Sequence, residues 1–150
     1  MKLLLVSLFA MLILESRAVA NLDTDIAQTN QVILSSGRWK PSFEETQKAL
    51  AAIQEFLDRP SSTNEWTKSE IKRIQEHAKE YRVQFLGVVR GGRKVIWCNF
   101  FPASRKDEKD YFQDWKQREI SVDDGGFWFW QIEYDPRTGK SSRFTSNGYA

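Results

Sequence analysis

The sequence predicts an α+β fold: two N-terminal helices packed on a four-stranded antiparallel sheet made of two hairpins. Three observations carry that expectation. Two capping-box patterns each open a stretch of apolar residues at helical spacing. The hydrophobic period then shortens to two, and glycine-bearing turns separate the apolar runs. Helices grouped ahead of strands, rather than alternating with them, give the layer order of an α+β domain.

The first helix follows Pro41. Ser42 and Glu45 form the capping box. Phe43, Leu50, Ile53 and Leu57 recur on one stripe, with Ala49 and Phe56 on its flanks. Arg59-Pro60-Ser61-Ser62 ends the helix, because proline cannot continue the hydrogen-bond ladder. The second helix opens on Thr67 and Glu70 and carries Ile71, Ile74, Ala78 and Tyr81 on its apolar side.

Residues 83–89 read as a strand interrupted by Gln84 and Gly87. Gly91-Gly92 is a two-residue hairpin turn. Residues 94–101 return, with Ile96, Cys98 and Phe100 on one face and Val95, Trp97, Asn99 and Phe101 on the other, until Pro102 stops the strand. Residues 103–117 are a charged connection in which Tyr111, Phe112 and Trp115 suit a helical turn laid on the sheet. Ile120-Ser121-Val122 starts the next strand, and Asp123-Asp124-Gly125-Gly126 is a turn or bulge. Residues 127–134 are the strongest strand, with Trp128, Trp130, Ile132 and Tyr134 toward the core and Phe127, Phe129, Gln131 and Glu133 away from it. Residues 135–140 turn through Pro136 and Gly139, and residues 142–146 form the last strand.

The N-terminus carries an export pattern. Lys2 precedes an apolar run over residues 3–14, and Ala18-Val19-Ala20 is a cleavage site. A run of 12 residues is short of the ~20 needed to span a bilayer. The expected division is a signal peptide at 1–20, a polar leader at 21–38 and a single domain at 39–150. The destination is periplasmic or extracellular. No second long apolar stretch follows, so no integral membrane segment is expected after cleavage. Val32-Ile33-Leu34 makes the leader either a flexible arm or a short edge strand.

Charge is nearly balanced, with 22 Lys+Arg against 20 Asp+Glu, and the two signs alternate along the chain. A nucleic-acid surface needs clustered cations, so no nucleic-acid partner is expected. Cys98 is the sole cysteine, which excludes an intramolecular disulfide. The domain must be held by its core, to which six Trp contribute.

Asp123-Asp124-Gly125-Gly126-Phe127-Trp128-Phe129, Tyr134-Asp135-Pro136 with Gly139, and the ending Asn147-Gly148-Tyr149-Ala150 form a pattern. With Trp39-Lys40-Pro41-Ser42, Gln84-Phe85-Leu86-Gly87 and Asn99-Phe100-Phe101, it resembles a family of small exported bacterial proteins of uncharacterised function. The resemblance spans residues 39–150. It implies export and a common fold and carries no catalytic residues over. The doubled Asp before the glycines is a small departure from it. The architecture is also similar to the cystatin-like grouping, but the inhibitor-loop signature Gln-x-Val-x-Gly is not present.

Few residues invite chemistry. Asp123 and Asp124 are adjacent carboxylates in a turn, where neighbouring side chains point apart. His77 is the only histidine and has no second ligand beside it, so neither a metal nor another cofactor is expected. Gly91-Gly92 lacks the Lys-Ser/Thr of a phosphate loop. Trp97, Phe101, Phe127 and Phe129 occupy the strand faces opposite the core stripes, and Arg90 and Arg93 can rim them. These six form the expected surface for a protein or peptide partner if that face is open; the alternative is that the leader or the Tyr111–Trp115 stretch covers it, since large open apolar patches are rare on monomers. Three readings follow: an exported non-enzymatic binding or inhibitor-like domain; a small extracytoplasmic enzyme using Asp123, Asp124, Glu133 or His77 in a pocket between helices and sheet; or a self-associating envelope protein.

Overall fold

The computed structural model describes residues 21–150; the expected signal peptide, residues 1–20, lies outside them. The elements run α1 (Leu22–Asp25), β1 (Gln31–Ile33), α2 (Phe43–Asp58), α3 (Glu65–Glu76), β2 (Tyr81–Arg90), β3 (Arg93–Pro102), β4 (Trp130–Asp135) and β5 (Lys140–Ser146). Single 3-10 turns at Gln28–Asn30, Ala78–Glu80 and Gly126–Trp128 join some of them. The α+β class holds. The finer expectation does not: among the described residues the sheet is mixed, with five strands in the order β1-β2-β3-β4-β5, and the helices number three. No helix among the described residues is long and apolar enough to cross a membrane.

The extra strand and helix both come from the leader. Val32 stands opposite Gln84 and Ile33 opposite Phe85, so β1 pairs with β2 in parallel. Parallel neighbours need a long crossover, and α2 with α3 supplies it. Leu22 and Ile26 at the start of the leader are buried in the main core. The leader is therefore an edge strand anchored by its own apolar residues, rather than an arm.

At α2 both halves of the capping box form: Glu45 N–H donates to Ser42 Oγ at 3.2 Å, and Ser42 N–H donates to Glu45 Oε2 at 2.7 Å. Ala49, Leu50, Ile53 and Leu57 are buried, whereas Phe43 is 53% exposed and leaves the stripe. α3 begins earlier than its sequence pattern suggested. Asn64 Oδ1 accepts the Thr67 N–H at 3.2 Å, and this removes Glu70 from any capping role. α3 also ends earlier, at Glu76, and Tyr81 opens β2. Helix and strand would both turn Tyr81 toward the core, so periodicity could not place the boundary.

β2 and β3 pair from Tyr81↔Pro102 to Arg90↔Arg93 around Gly91 and Gly92, whose φ values of 53° and 76° are the positive pair that a tight hairpin turn requires. Gly87 breaks the apolar run for a reason visible only in three dimensions. A Cβ there would stand 2.0 Å from the Trp39 carbonyl oxygen, because Trp39 bridges to Gly87. β4 starts at Trp130, not at residue 127. Gly126–Trp128 is a 3-10 turn, so the strand alternation does not reach Phe127 and Trp128.

The two sheet faces have different cores. The helices cover the first, over Val83, Phe85, Ile96, Cys98, Phe100, Trp130 and Ile132, where Phe100 and Trp130 stack with centroids 3.8 Å apart. On the second face, Phe101, Trp115 and Ile120 are buried together with Val32, Phe112 and Phe129 packed against them. Residues 103–122 thus lay Phe112 and Trp115 on the sheet as expected, but Tyr111 is 81% exposed and residues 120–122 form no strand.

That segment is fastened by polar groups. Gln84 (0% exposed) and Asn99 (2%) lie beneath it. Gln84 Nε2 donates to the carbonyls of Trp115 and Arg118, and Gln84 Oε1 accepts the Ile120 N–H at 2.9 Å. Asn99 Nδ2 donates to the Ile120 carbonyl at 2.8 Å and to Gln84 Oε1 at 3.0 Å. At the near end Arg82 grips Asp110 with two hydrogen bonds of 3.0 and 2.9 Å, and its guanidinium carbon lies 5.0 Å from the Trp115 ring centroid.

The Arg82 guanidinium, aided by the Phe112 N–H, lowers the Asp110 carboxyl from its ordinary 3.8 to about 2. A carboxylate depressed on folding stabilises the protein above its unfolded pKa, and that contribution is lost as the pH falls toward the folded value. Wild type should therefore exceed Asp110→Asn in urea midpoint at pH 5–7, and the gap should close between pH 4 and pH 2. A gap constant across that interval would contradict the ion pair.

Candidate functional site

The C-terminal residues build the frame of the site. Gly125 and Gly126 have φ of 99° and 54°, and the segment they reverse is clamped by the chain end. Asn147 Nδ2 donates to the carbonyls of Val122 and Asp124, and Gly126 N–H donates to the Gly148 carbonyl. Tyr149 lies against Gly126, where a Cβ would stand 2.0 Å from its ring. The Tyr149 hydroxyl donates to the Glu70 carboxylate (2.9 Å to the nearer oxygen) on α3. The Asp-Gly-Gly and Asn-Gly-Tyr motifs are therefore two halves of one lock, and the buried Glu70 is its acceptor.

The lock sets the 3-10 turn that presents Phe127, Trp128 and Phe129. His77, the residue that follows α3, sits against two of these rings, with centroid distances of 5.3 Å to Phe127 and 4.7 Å to Trp128. Its Nδ1 is hydrogen-bonded to Glu80. Glu80 also faces Arg105 at 3.7 Å, and its carbonyl accepts the Ala103 N–H. Between these walls lies a cleft of about 520 Å³, with Trp128, Phe129, Pro102 and Ala103 as its apolar lining. Lys79, Glu80, Arg105 and Glu108 give it a rim of both signs. A second hollow of about 270 Å³ continues past Phe129 to Phe112 and Tyr111. The two share Pro102, Ala103, Ser104, Glu108 and Phe129, so they form one groove.

The six residues expected to make one partner surface are not brought together. Phe129 lines the groove and Phe127 flanks it, packed against the main core rather than the second face. Phe101 is fully buried under Phe112 and Trp115, at centroid distances of 5.5 and 5.9 Å. Trp97 is half-buried four residues back along β3, opposite Glu133. Arg90 is committed to Glu133, with Nε 2.8 Å from Oε1. Arg93 lies at the hairpin tip, 3.8 Å from Asp135. The groove residues from 102 to 108 were missed, since only the docking of 103–122 onto the sheet makes them a wall. The one legible signal was the aromatic pair Trp128-Phe129 behind two glycines.

The candidate catalytic groups have separate duties. Glu133 is 5% exposed, and Arg90 and Arg143 hold it. A bulge in β5 gives Arg143 its φ of 57° and turns it toward that carboxylate. Asp123 and Asp124 are exposed, and no hydrogen bond links them to His77 or Glu133 among the described residues. Burial pushes the Cys98 thiol up, so it remains a protonated core group at neutral pH. Among the described residues no group of three or more His, Cys, Asp or Glu side chains is arranged to hold a metal ion.

Tyr149→Phe removes the hydroxyl that satisfies buried Glu70. It should cost about 1–3 kcal/mol in urea unfolding. Combined with Glu70→Leu it should cost less than the sum of the two single changes, because they share one interaction. Strict additivity would contradict the lock.

Compared with protein-family models, with curated proteins and with solved structures, the chain matches none of them.

Proposed function

We propose that the mature chain is an exported, non-enzymatic binding domain that takes an extended peptide segment into the groove beside Phe129. The observation that carries the reading is the continuity of the two hollows. A site of about 520 Å³ joined to one of about 270 Å³ can seat one large side chain and its neighbour. Its aromatic floor supplies contact area at low conformational cost, as binding anchors do. The rim alternates Lys79 and Arg105 with Glu80 and Glu108, which suits a polar backbone and mixed side chains. The export half of the proposal rests on the signal pattern of residues 1–20 and on the resemblance to small exported bacterial proteins.

Panning a library of unstructured peptides against residues 21–150 tests it. Binders should carry an aromatic or long aliphatic anchor. They should shift the amide resonances of Ala103, Ser104, Gly125 and Phe129. Ser104→Arg, which fills the groove from its wall, should weaken binding tenfold or more while the far-end amide resonances of Gly92 and Arg137 stay in place. Binders that shift another surface, or that ignore the substitution, would contradict the proposal.

A further inference from the structure

We propose that a second cleft, at the far end of the β2–β3 hairpin, binds a phosphate ester. The hairpin strands have ten residues each, which separates the two ends by roughly 30 Å. The cleft has a volume of about 640 Å³ and is built where three segments distant in sequence meet. Trp39 and Lys40 come from the entry to α2, Arg93 and Lys94 from the first hairpin turn, and Arg137 from the second.

The charge on these segments does not cancel. Two carboxylates line the cleft, and both are already engaged. Glu45 Oε2 accepts the Ser42 N–H in the α2 cap. Asp135 Oδ1 accepts the N–H groups of Arg137 and Thr138, and its Oδ2 faces Arg93 at 3.8 Å. Among the described residues, Lys40, Lys94 and Arg137 have no carboxylate within ion-pair distance.

Three cations converging from three directions match a dianion with three peripheral oxygens better than a two-oxygen monoanionic carboxylate. Arg137 offers the forked donor, and the lysines act as point charges. The volume exceeds that of a bare phosphate, so the group arrives as an ester, with its organic part against Pro136, beside the Trp39 ring over which Lys94 Nζ lies 5.5 Å from the centroid. Trp39 is a wall rather than a donor there, because its Nε1–H is spent on the Val88 carbonyl at 3.1 Å. The ester's source is either a soluble phosphomonoester or a lipid headgroup. The site is independent of the peptide groove and stands or falls separately from it.

The test is amide-resonance titration of residues 21–150 with inorganic pyrophosphate and with glycerol phosphate, together with co-sedimentation on phosphatidic acid vesicles against phosphatidylcholine vesicles. Saturable shifts are expected at Lys40, Gly92, Lys94 and Arg137. The double variant Lys40→Gln/Arg137→Gln should weaken binding tenfold or more. Lys68→Gln, on α3, should leave it unchanged. Vesicle binding lost in the double variant assigns the headgroup, and glycerol phosphate binding without it assigns a soluble ester. Non-saturating shifts spread over surface lysines, double-variant binding equal to wild type, or no response to any probe would overturn the proposal.

Discussion

Gln84, Asn99 and Gln131 are cross-strand neighbours on β2, β3 and β4, and Thr145 continues the same row on β5. Each side chain hydrogen-bonds the next across the sheet: Thr145 to Gln131, Gln131 to Asn99, Asn99 to Gln84. At its end the row turns upward and takes the backbone of Trp115, Arg118 and Ile120. Amides buried this deeply cost about 1–3 kcal/mol for each group left unpaired. The second face could not close over them unless the covering segment brought matching backbone groups. The row therefore selects both which segment covers the sheet and in what register.

Much of the rest depends on that selection. With residues 115–120 held, Phe112 and Trp115 reach Phe101, and Arg82 finds Asp110. Residues 102–108 are then fixed as one wall of the groove, and Glu80 and Trp128 stand across from them. The opposite wall has its own fastening in Glu70 and Tyr149. A groove between two independently fastened walls is preorganised, so little ordering cost would remain for the peptide proposed to enter it. The hairpin tips lie away from both fastenings, and there the chain gathers cations around Trp39.

The fold class was legible because local chemistry and tertiary position agreed in most elements. The α2 capping box and the Gly91-Gly92 turn each specify their structure within four residues. Where they disagreed, a partner distant in sequence decided. β1 became a strand only because β2 offered an edge. Glu70 looked like a capping acid because Tyr149 lies 79 residues away. Gln84 looked like a defect in a strand because its hydrogen-bond partners sit 31 to 36 residues downstream. The alternation over residues 127–134 mimicked a longer strand, but Gly125 and Gly126 bend its start into a turn. The cation cleft was invisible to a linear reading of charge, which found the two signs well mixed. Of the aromatic surface, only Phe129 was placed at the groove, because burial of Phe101 depends on a loop with no strong local signal.

The central claim is that the buried amide row holds residues 103–122 on the sheet. Amide hydrogen exchange in Gln84→Met against wild type tests it most directly. The substitution keeps side-chain length and removes the acceptor of the Ile120 N–H and the donor to Trp115 and Arg118. The account predicts a loss of protection at Ile120 and across residues 112–120, while α2 and the β2–β3 ladder stay protected. Undiminished protection of Ile120 in the variant, or an equal loss throughout the domain, would contradict it.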